Sequence, residues 1–222
     1  SFNLIVNPLP TAAIGASTIC SGQTATVTIS GTPGATVSYL DNLGATQTVV
    51  LNSSGSATVT TPVLTSNATF SLVDVTSVEN CTRAVNGSAT VTVNPLPSVS
   101  ISTTTPSICD GTSATIDFVG SPDATITYTI DGVSSTILLD ASGNASVSST
   151  ATSTYCLVSA ASNSTPVCNQ AFTDCVTITV IPLPTASITV DTICDGDTAV
   201  VTFTGTANAT VNYTIDGAAQ TP

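Results

Sequence analysis

The sequence predicts an all-β protein built as a tandem array of similar β-sandwich repeats. The tripeptide Pro-Leu-Pro begins at Pro8, Pro95 and Pro182, with spacings of 95 − 8 = 87 and 182 − 95 = 87 residues, and such a period indicates a repeat architecture. The chain is 41% hydrophobic but only 6% charged, and its many Val, Ile and Thr residues favour strands. Apolar and polar residues alternate through residues 24–29, which is typical of a strand with one buried face.

The phase of the repeat divides the chain into four parts. Residues 1–6 align with the last strand of a repeat, 7–93 form repeat 1, 94–180 form repeat 2, and 181–222 form the N-terminal part of a third unit. We therefore expect the chain to be a segment of a longer polypeptide. It has no secretory signal pattern at its start.

Alternation and turn residues predict seven strands in each repeat. In repeat 1 they lie near 12–18, 24–30, 36–41, 46–51, 56–63, 68–76 and 88–93. In the later units, Asp131-Gly132 and Asp216-Gly217 predict tight hairpin turns after the third strand. Seven short strands in about 87 residues suit an immunoglobulin-like sandwich.

The Pro-Leu-Pro segments are expected to join the sandwiches directly. Two prolines remove two backbone donors and end the preceding strand, and the segment favours an extended conformation. The last strand of one repeat would then lead straight into the first strand of the next. This predicts a semi-rigid rod of tandem immunoglobulin-like repeats rather than a flexible string.

The cysteines predict disulfides and an oxidising, extracellular setting. Cys20 corresponds to Cys109, and Cys81 corresponds to Cys168 because 81 + 87 = 168. We therefore expect two equivalent bridges, Cys20–Cys81 and Cys109–Cys168, each joining the start of the second sandwich strand to the region of the last two strands. A metal site is the weaker alternative, because the chain has no histidine and no Cys-x-x-Cys motif.

Three cysteines remain outside this pattern. Inward-facing Tyr155 and Leu157 flank Cys156, and an inward-facing valine follows Cys175. Both cysteines should therefore face outward on the last two strands, where they could pair. Cys194 is expected to be unpaired in this segment, since its partner would lie near position 168 + 87 = 255.

The composition argues against several function classes. The chain has a single basic residue, Arg83, no histidine and a formal net charge of −12. Its surface therefore cannot neutralise phosphates, and we do not expect nucleic acid as a partner. General acid–base and nucleophilic catalysis usually need residues that are missing here, so we expect no enzyme, no catalytic residue and no cofactor. No apolar run reaches the length of about 18 residues that would indicate a membrane span.

Acidic turns raise a calcium alternative. Asp195-Gly196-Asp197 and Asp110-Gly111 present carboxylates, and calcium takes oxygen ligands. The spacing is not that of an EF-hand loop, and repeat 1 has Ser21 at the equivalent place. Turn formation is the preferred interpretation, and no metal ligand is assigned.

The segment Pro8-Leu9-Pro10-Thr11-Ala12, together with residues 18–39 (Thr-Ile-Cys-Ser-Gly-Gln through Val-Ser-Tyr), resembles the repeats of very large Bacteroidota cell-surface proteins. These are immunoglobulin-like or PKD-like repeat adhesins associated with gliding motility, of the SprB type. The resemblance implies type IX secretion, attachment to the outer membrane elsewhere in the protein or release as a fibre, and a role in adhesion, gliding or filaments. Thr192 and Thr198 stand in short sequences similar to the Asp-Thr/Ser-aliphatic O-glycosylation motif of that phylum, although exposed turns would explain them equally.

The sequence is compatible with three functions. The first is a structural stalk segment of a long extracellular adhesin or surface fibre, whose partners are neighbouring repeats of the same chain. The second is a module that binds glycans or abiotic surfaces directly through flat Thr, Ser and Asn faces, although its few aromatic side chains argue against strong sugar stacking. The third is self-association into a filament by lateral contact or strand exchange.

Overall fold

The computed structural model describes residues 6–220, and this part of the chain forms 22 β-strands and no helix. The strand expected at 1–6 lies, except for Val6, outside the described residues. The strands fall into three successive groups that follow the sequence period. No helix of the described chain has the length and apolar character needed to cross a membrane.

Repeat 1 is a sandwich of two sheets. Its nine strands are β1 (Ala12–Ala16), β2 (Thr18–Cys20), β3 (Thr26–Gly31), β4 (Thr36–Leu40), β5 (Thr46–Val50), β6 (Ser56–Thr60), β7 (Ala68–Thr76), β8 (Thr82–Ala84) and β9 (Ser88–Asn94). One sheet has the order β1-β3-β6 and the other β2-β9-β7-β4-β5, with β8 also paired to β7. Side chains from both sheets meet in one core cluster, so the sheets pack face to face.

Repeat 2 reproduces this arrangement strand for strand. Its strands are β10 (Val99–Thr103), β11 (Ser107–Cys109), β12 (Ala114–Gly120), β13 (Thr125–Ile130), β14 (Val133–Leu138), β15 (Asn144–Ser149), β16 (Ser153–Ala161), β17 (Asn169–Ala171) and β18 (Cys175–Ile181). The sheets are β10-β12-β15 and β11-β18-β16-β13-β14, with β17 on β16. Its core cluster is separate from that of repeat 1.

The third unit contains β19 (Ala186–Val190), β20 (Val201–Gly205), β21 (Tyr213–Ile215) and β22 (Ala218–Gln220). They form two separate pairs, β19-β20 and β21-β22. The ring centroids of Phe203 and Tyr213 lie 4.9 Å apart, the separation also found between Phe118 and Tyr128 in repeat 2. The third unit therefore begins the same packing, while Phe203 stays 39% exposed.

The alternation in the sequence decides which face of each strand is buried. In β3, Val27 and Ile29 are fully buried, while Thr26 and Thr28 are exposed. Burying such aliphatic side chains contributes about 1.5–3 kcal/mol each, so the apolar face of each strand drives the two sheets together. A one-residue register shift would expose that face and is strongly disfavoured.

The Asp-Gly dipeptides form the tight turns expected of them. Asp131 and Gly132 connect β13 to β14, with φ values of 50° and 85°. Asp216 and Gly217 connect β21 to β22 with φ values of 48° and 80°. Two successive positive φ values characterise the type I′ hairpin turn, whose twist matches that of the strands.

The first predicted strand is divided in two. It was expected to run continuously near 12–18, but Ser17 separates β1, which pairs antiparallel with β3, from β2, which pairs parallel with β9. The chain therefore crosses from one sheet to the other within a single residue. As a result, Cys20 lies opposite Asn94, at the carboxyl end of the last strand.

Gly120, the last residue of β12, permits the close approach of the neighbouring strand β10. A Cβ atom added at Gly120 would overlap the backbone carbonyl oxygen of Ser98, and Gly31 stands in the same relation to Thr11. We expect Gly120→Ala to reduce the free energy of unfolding of repeat 2 by about 1–3 kcal/mol, as overpacking usually does. Urea denaturation would measure this loss.

The matched control is Gly15→Ala, because a Cβ at that strand position would meet no atom within 4 Å. This substitution should change the free energy of unfolding of repeat 1 by less than about 0.5 kcal/mol. Equal losses for both variants would contradict the steric explanation and would point to a general effect of glycine replacement in strands.

Candidate functional site at the joint between repeats

The joint between the two complete repeats is short. Strand β9 ends at Asn94 and β10 begins at Val99, so only residues 95–98 lie between the two sandwiches. Within this linker Pro97 is buried and Leu96 is 40% exposed. Because both prolines fix φ and lack an N–H donor, the strand pairing stops at this point.

Two loops of repeat 2 face this linker. The β12–β13 loop contributes Pro122 and Asp123, and the β16–β17 hairpin contributes residues 162–164. Together with Pro95 and Leu96 they line an open groove of about 340 Å³. The Asn94 side-chain amide also donates a hydrogen bond of 3.2 Å to the carbonyl oxygen of Thr165.

A disulfide crosses the joint. Cys20 of repeat 1 is bonded to Cys168 of repeat 2, with Cα atoms 5.6 Å apart and a sequence separation of 148 residues. Both side chains are buried, Cys168 completely. The bond ties the carboxyl end of repeat 1 to the hairpin at the amino end of repeat 2.

Hydrogen bonds within the β16–β17 hairpin hold Cys168 in position. The Cys168 N–H donates to Ser162 Oγ at 2.9 Å, and the Ser162 N–H donates to the Cys168 carbonyl at 2.8 Å. The hydroxyls of Ser162 and Ser164 are 2.7 Å apart. The hairpin therefore presents the sulfur toward repeat 1 from a constrained backbone.

The disulfides expected within each repeat are wrong in this structure, because Cys20 is bonded to Cys168 of repeat 2 and not to Cys81. Cys20 lies beside Asn94 at one end of the sandwich, whereas Cys81 closes the β7–β8 hairpin at the other end. The last strands between them span roughly 40 Å, far beyond the 4.4–6.8 Å Cα separation that a disulfide allows. The same separation prevents a Cys109–Cys168 bridge.

Cys156 and Cys175 are brought together as the strand phase indicated. They face each other across β16 and β18 in the antiparallel register, and their Cα atoms are 4.1 Å apart in a disulfide. This bridge lies within repeat 2 and fastens its last two strands. Among residues 6–220, Cys81, Cys109 and Cys194 have no disulfide partner, and Cys109 and Cys194 are exposed.

The remaining predicted positions lie on the surface. Thr192 and Thr198 are both exposed between β19 and β20, so a glycosylating enzyme could reach them, and their modification stays a prediction. Asp195 and Asp197 lie in the same exposed stretch. Across residues 6–220, no group of three or more His, Cys, Asp or Glu side chains is arranged to hold a metal ion.

Acidic side chains serve the turns. Asp41 Oδ1 accepts hydrogen bonds from the Leu43 and Ala45 N–H groups at 2.9 and 3.0 Å. These donors, with that of Ala45 the larger influence, hold the pKa of the Asp41 carboxyl below its ordinary value. Asp140 Oδ1 accepts from the Ser142 and Asn144 N–H groups in the same manner. Asp41 and Asp140 therefore act as turn formers, and the turn interpretation of Asp110, Asp195 and Asp197 stays a prediction.

The joint is the candidate site of the described chain, because several separate contacts hold it together. It combines a linker of only residues 95–98, the buried Cys20–Cys168 disulfide and the hydrogen bond from the Asn94 side chain to Thr165. Such an arrangement can transmit tension and fix relative orientation, and it contains no acid–base pair. The sequence period could not reveal this bridge, because it identifies equivalent cysteines without saying which copy supplies the partner.

Comparisons with known proteins identify the fold. Residues 8–95 match the family model described as Ig-like domain CHU_C associated. No curated protein matches the chain. The prediction of an all-β chain of immunoglobulin-like repeats is therefore confirmed for its class, and the family match covers repeat 1 and ends at Pro95.

Two kinds of solved structure are similar. One is described as a Ca2+-stabilized adhesin that helps an Antarctic bacterium reach out and bind ice, with 19% identity, a TM-score of 0.51, and coverage of 85% of this chain and 53% of that chain. The other is the I-band fragment I67–I69 of titin, with 12% identity, a TM-score of 0.52, and coverage of 98% and 83%. This chain thus spans about half the length of the adhesin structure. Both likenesses concern the fold.

Proposed function

We propose that this array of immunoglobulin-like sandwiches is a stalk segment of a long extracellular adhesin or surface fibre. The observation that carries the proposal is the joint, where a linker of residues 95–98 and the Cys20–Cys168 bond connect successive sandwiches. A stalk must keep its domains aligned and resist extension. A joint with no slack and a covalent clamp meets both requirements.

The surface supports the same proposal. The chain has one basic residue, Arg83, and only 4% of its residues are aromatic. Binding surfaces, in contrast, usually rely on aromatic and arginine side chains. The two disulfides suit an oxidising compartment outside the cytosol. The chain would thus serve as a spacer, and we place no enzymatic activity in it.

We also propose a bacterial group and an export route for this protein. The resemblance of residues 18–39 to SprB-type repeats, together with the similar fold of a bacterial adhesin, supports a Bacteroidota surface protein exported by the type IX system. A role in adhesion or gliding, and attachment to the outer membrane or release as a fibre, follow from that resemblance. Glycosylation at Thr192 and Thr198 would fit the same setting.

Deleting one whole period from the surface protein tests the stalk role. Removing residues 94–180 joins Val93 to Ile181 and keeps a Pro-Leu-Pro linker. Electron microscopy should then show a fibre shorter by one repeat, roughly 40 Å, with cell adhesion retained. Loss of adhesion at unchanged expression, or adhesion by the purified chain as strong as that of the whole fibre, would contradict the stalk role.

A second candidate is direct binding of glycans or abiotic surfaces. One face of repeat 1 favours it, because exposed Thr26 and Thr28 stand opposite exposed Thr60 and Thr58 in the β3–β6 register. Adsorption of the purified chain would support this candidate if Thr28→Glu abolished it and Thr90→Glu, on the other sheet, did not. Concentration-dependent filaments of the purified chain would instead favour self-association.

A further inference from the structure

The residues around Cys109 repeat those around Cys20. Cys109 ends β11 opposite Ile181, at the carboxyl end of β18, just as Cys20 ends β2 opposite Asn94. The Asp110 N–H donates to the Ile181 carbonyl at 2.9 Å, and the Ser21 N–H donates to the Asn94 carbonyl at 2.8 Å. Repeat 2 therefore carries at its carboxyl end the same cysteine that repeat 1 uses at the joint.

Cys81 occupies the complementary position. It closes the β7–β8 hairpin through a 3.0 Å hydrogen bond from the Ser77 N–H to its carbonyl, as Cys168 closes the β16–β17 hairpin with Ser162. Cys81 is half-buried and unbonded. Repeat 1 therefore carries at its amino end the same cysteine that repeat 2 uses at the joint.

The linkers at the two ends of repeat 2 are also equivalent. Asn94-Pro95-Leu96-Pro97 precedes the first strand of repeat 2, and Ile181-Pro182-Leu183-Pro184 precedes the first strand of the third unit. Strand β19 begins at Ala186 as β10 begins at Val99, so each sandwich is followed by an equally short connection. A repeat seated after Ile181 as repeat 2 is seated after Asn94 would bring its hairpin cysteine to Cys109.

We propose that Cys81 and Cys109 are the two halves of the same inter-repeat bridge, each made with another copy of this repeat. Cys109 bonds the hairpin cysteine of the copy that follows, and Cys81 bonds the strand-end cysteine of the copy that precedes. Cys194 is the equivalent of Cys109 in the third unit, since the Asp197 N–H donates to its carbonyl at 3.1 Å, as the Thr112 N–H donates to that of Cys109 at 3.0 Å.

Each bridge forms by thiol–disulfide exchange with a small-molecule disulfide such as oxidised glutathione. One cysteine thiolate attacks the reagent and displaces a first thiol, and the second cysteine then attacks the mixed disulfide and displaces another. The two protein thiols lose two protons and two electrons in total. The reagent gains both and leaves as two thiols.

Recurrence of the bridge would make the array hard to extend. Cys168 and Cys194 are 194 − 168 = 26 residues apart, and they would belong to successive bridges of one series. These residues span two sandwiches, and 26 residues in strand conformation reach only roughly 85 Å. Two interleaved series of bridges would thus run along the array, and the chain between successive bridges would already be almost fully extended. This holds whether or not the array ends in an adhesive tip.

A head-to-tail dimer of the two complete repeats tests this proposal. Two copies of residues 7–180 are joined so that Asn7-Pro8-Leu9-Pro10 of the second copy takes the place of Ile181-Pro182-Leu183-Pro184. Each repeat has its own core cluster, so the fusion retains four complete sandwiches. After refolding with oxidised glutathione, free thiols are labelled with iodoacetamide and peptides are mapped without reduction.

The expected result is a peptide that links Cys109 to Cys81, while one of the two copies of each cysteine is labelled, because only Cys109 of the first copy and Cys81 of the second can meet. With Cys109→Ser in the first copy, the Cys81–Cys109 peptide should disappear and both copies of Cys81 should be labelled, while the Cys20–Cys168 peptides persist. Labelling of all four of these cysteines in the unsubstituted fusion, or a Cys20–Cys81 peptide within one copy, would overturn the proposal.

Discussion

Reducing the Cys20–Cys168 bridge should lengthen the fully stretched chain by roughly 500 Å. The bridge closes a sequence separation of 148 residues, and force applied at the chain ends passes through the sulfur atoms rather than through those residues. While the bridge holds, the residues between Cys20 and Cys168 can unfold but cannot extend. Both sandwiches are therefore largely protected from tension.

Single-molecule force spectroscopy of the chain with and without reductant measures this contour length. Cys20→Ser should have nearly the same effect as reduction, lessened because the Cys156–Cys175 bridge still closes a separation of 19 residues. Cys81→Ser is the matched control, since Cys81 forms no disulfide within the described part of this chain, and it should leave the oxidised contour length unchanged.

The measurement also distinguishes the two pairings of Cys20. A bridge to Cys81 would close only 81 − 20 = 61 residues, and its reduction together with the 19-residue separation of the Cys156–Cys175 bridge would add only roughly 270 Å. A gain of that size, or a gain that Cys81→Ser abolished, would show that the bond lies within repeat 1 and that the joint is not clamped.

Phe118→Ala should be the most destabilising single substitution in the core of repeat 2. Phe118 is fully buried, and its ring centroid lies 4.9 Å from that of Tyr128. Truncating a buried phenylalanine usually costs about 3–5 kcal/mol. Because a domain of this size loses roughly 4–8 °C per kcal/mol, the thermal transition of repeat 2 should fall by at least about 12 °C.

Differential scanning calorimetry can follow both repeats in one sample, since their cores are separate. The transition of repeat 1 should stay in place. Val119→Ala is the control, because Val119 adjoins Phe118 in β12 but is 48% exposed, and it should cost under about 1 kcal/mol. A similar loss for both substitutions would contradict the assignment of buried and exposed faces.

Much of the fold was predictable because its signals are local. The alternation in residues 24–29 anticipates β3 with Val27 and Ile29 inside, since successive side chains of a strand point to opposite faces. The Asp131-Gly132 dipeptide anticipates the β13–β14 hairpin, since its φ values suit few other residues. The outward pair Cys156 and Cys175 could be inferred from the inward neighbours of each cysteine.

Local signals could not predict the Cys20–Cys168 disulfide at the joint. A period of 87 residues makes Cys81 and Cys168 equivalent, so partners of Cys20 that differ by one whole repeat fit the sequence equally. The switch of the chain at Ser17 decides between them, because it places β2 alongside the end of β9. No local pattern reveals that crossing.

The sequence by itself therefore determined the repeats, their strands and their buried faces, all of which depend on residues close together in the chain. Only the tertiary structure decided that Cys20 belongs to the joint with repeat 2 and not to the core of repeat 1. The physical reason is distance, since a disulfide needs two Cα atoms within about 7 Å. Strand pairing places Cys81 roughly 40 Å away and Cys168 at 5.6 Å.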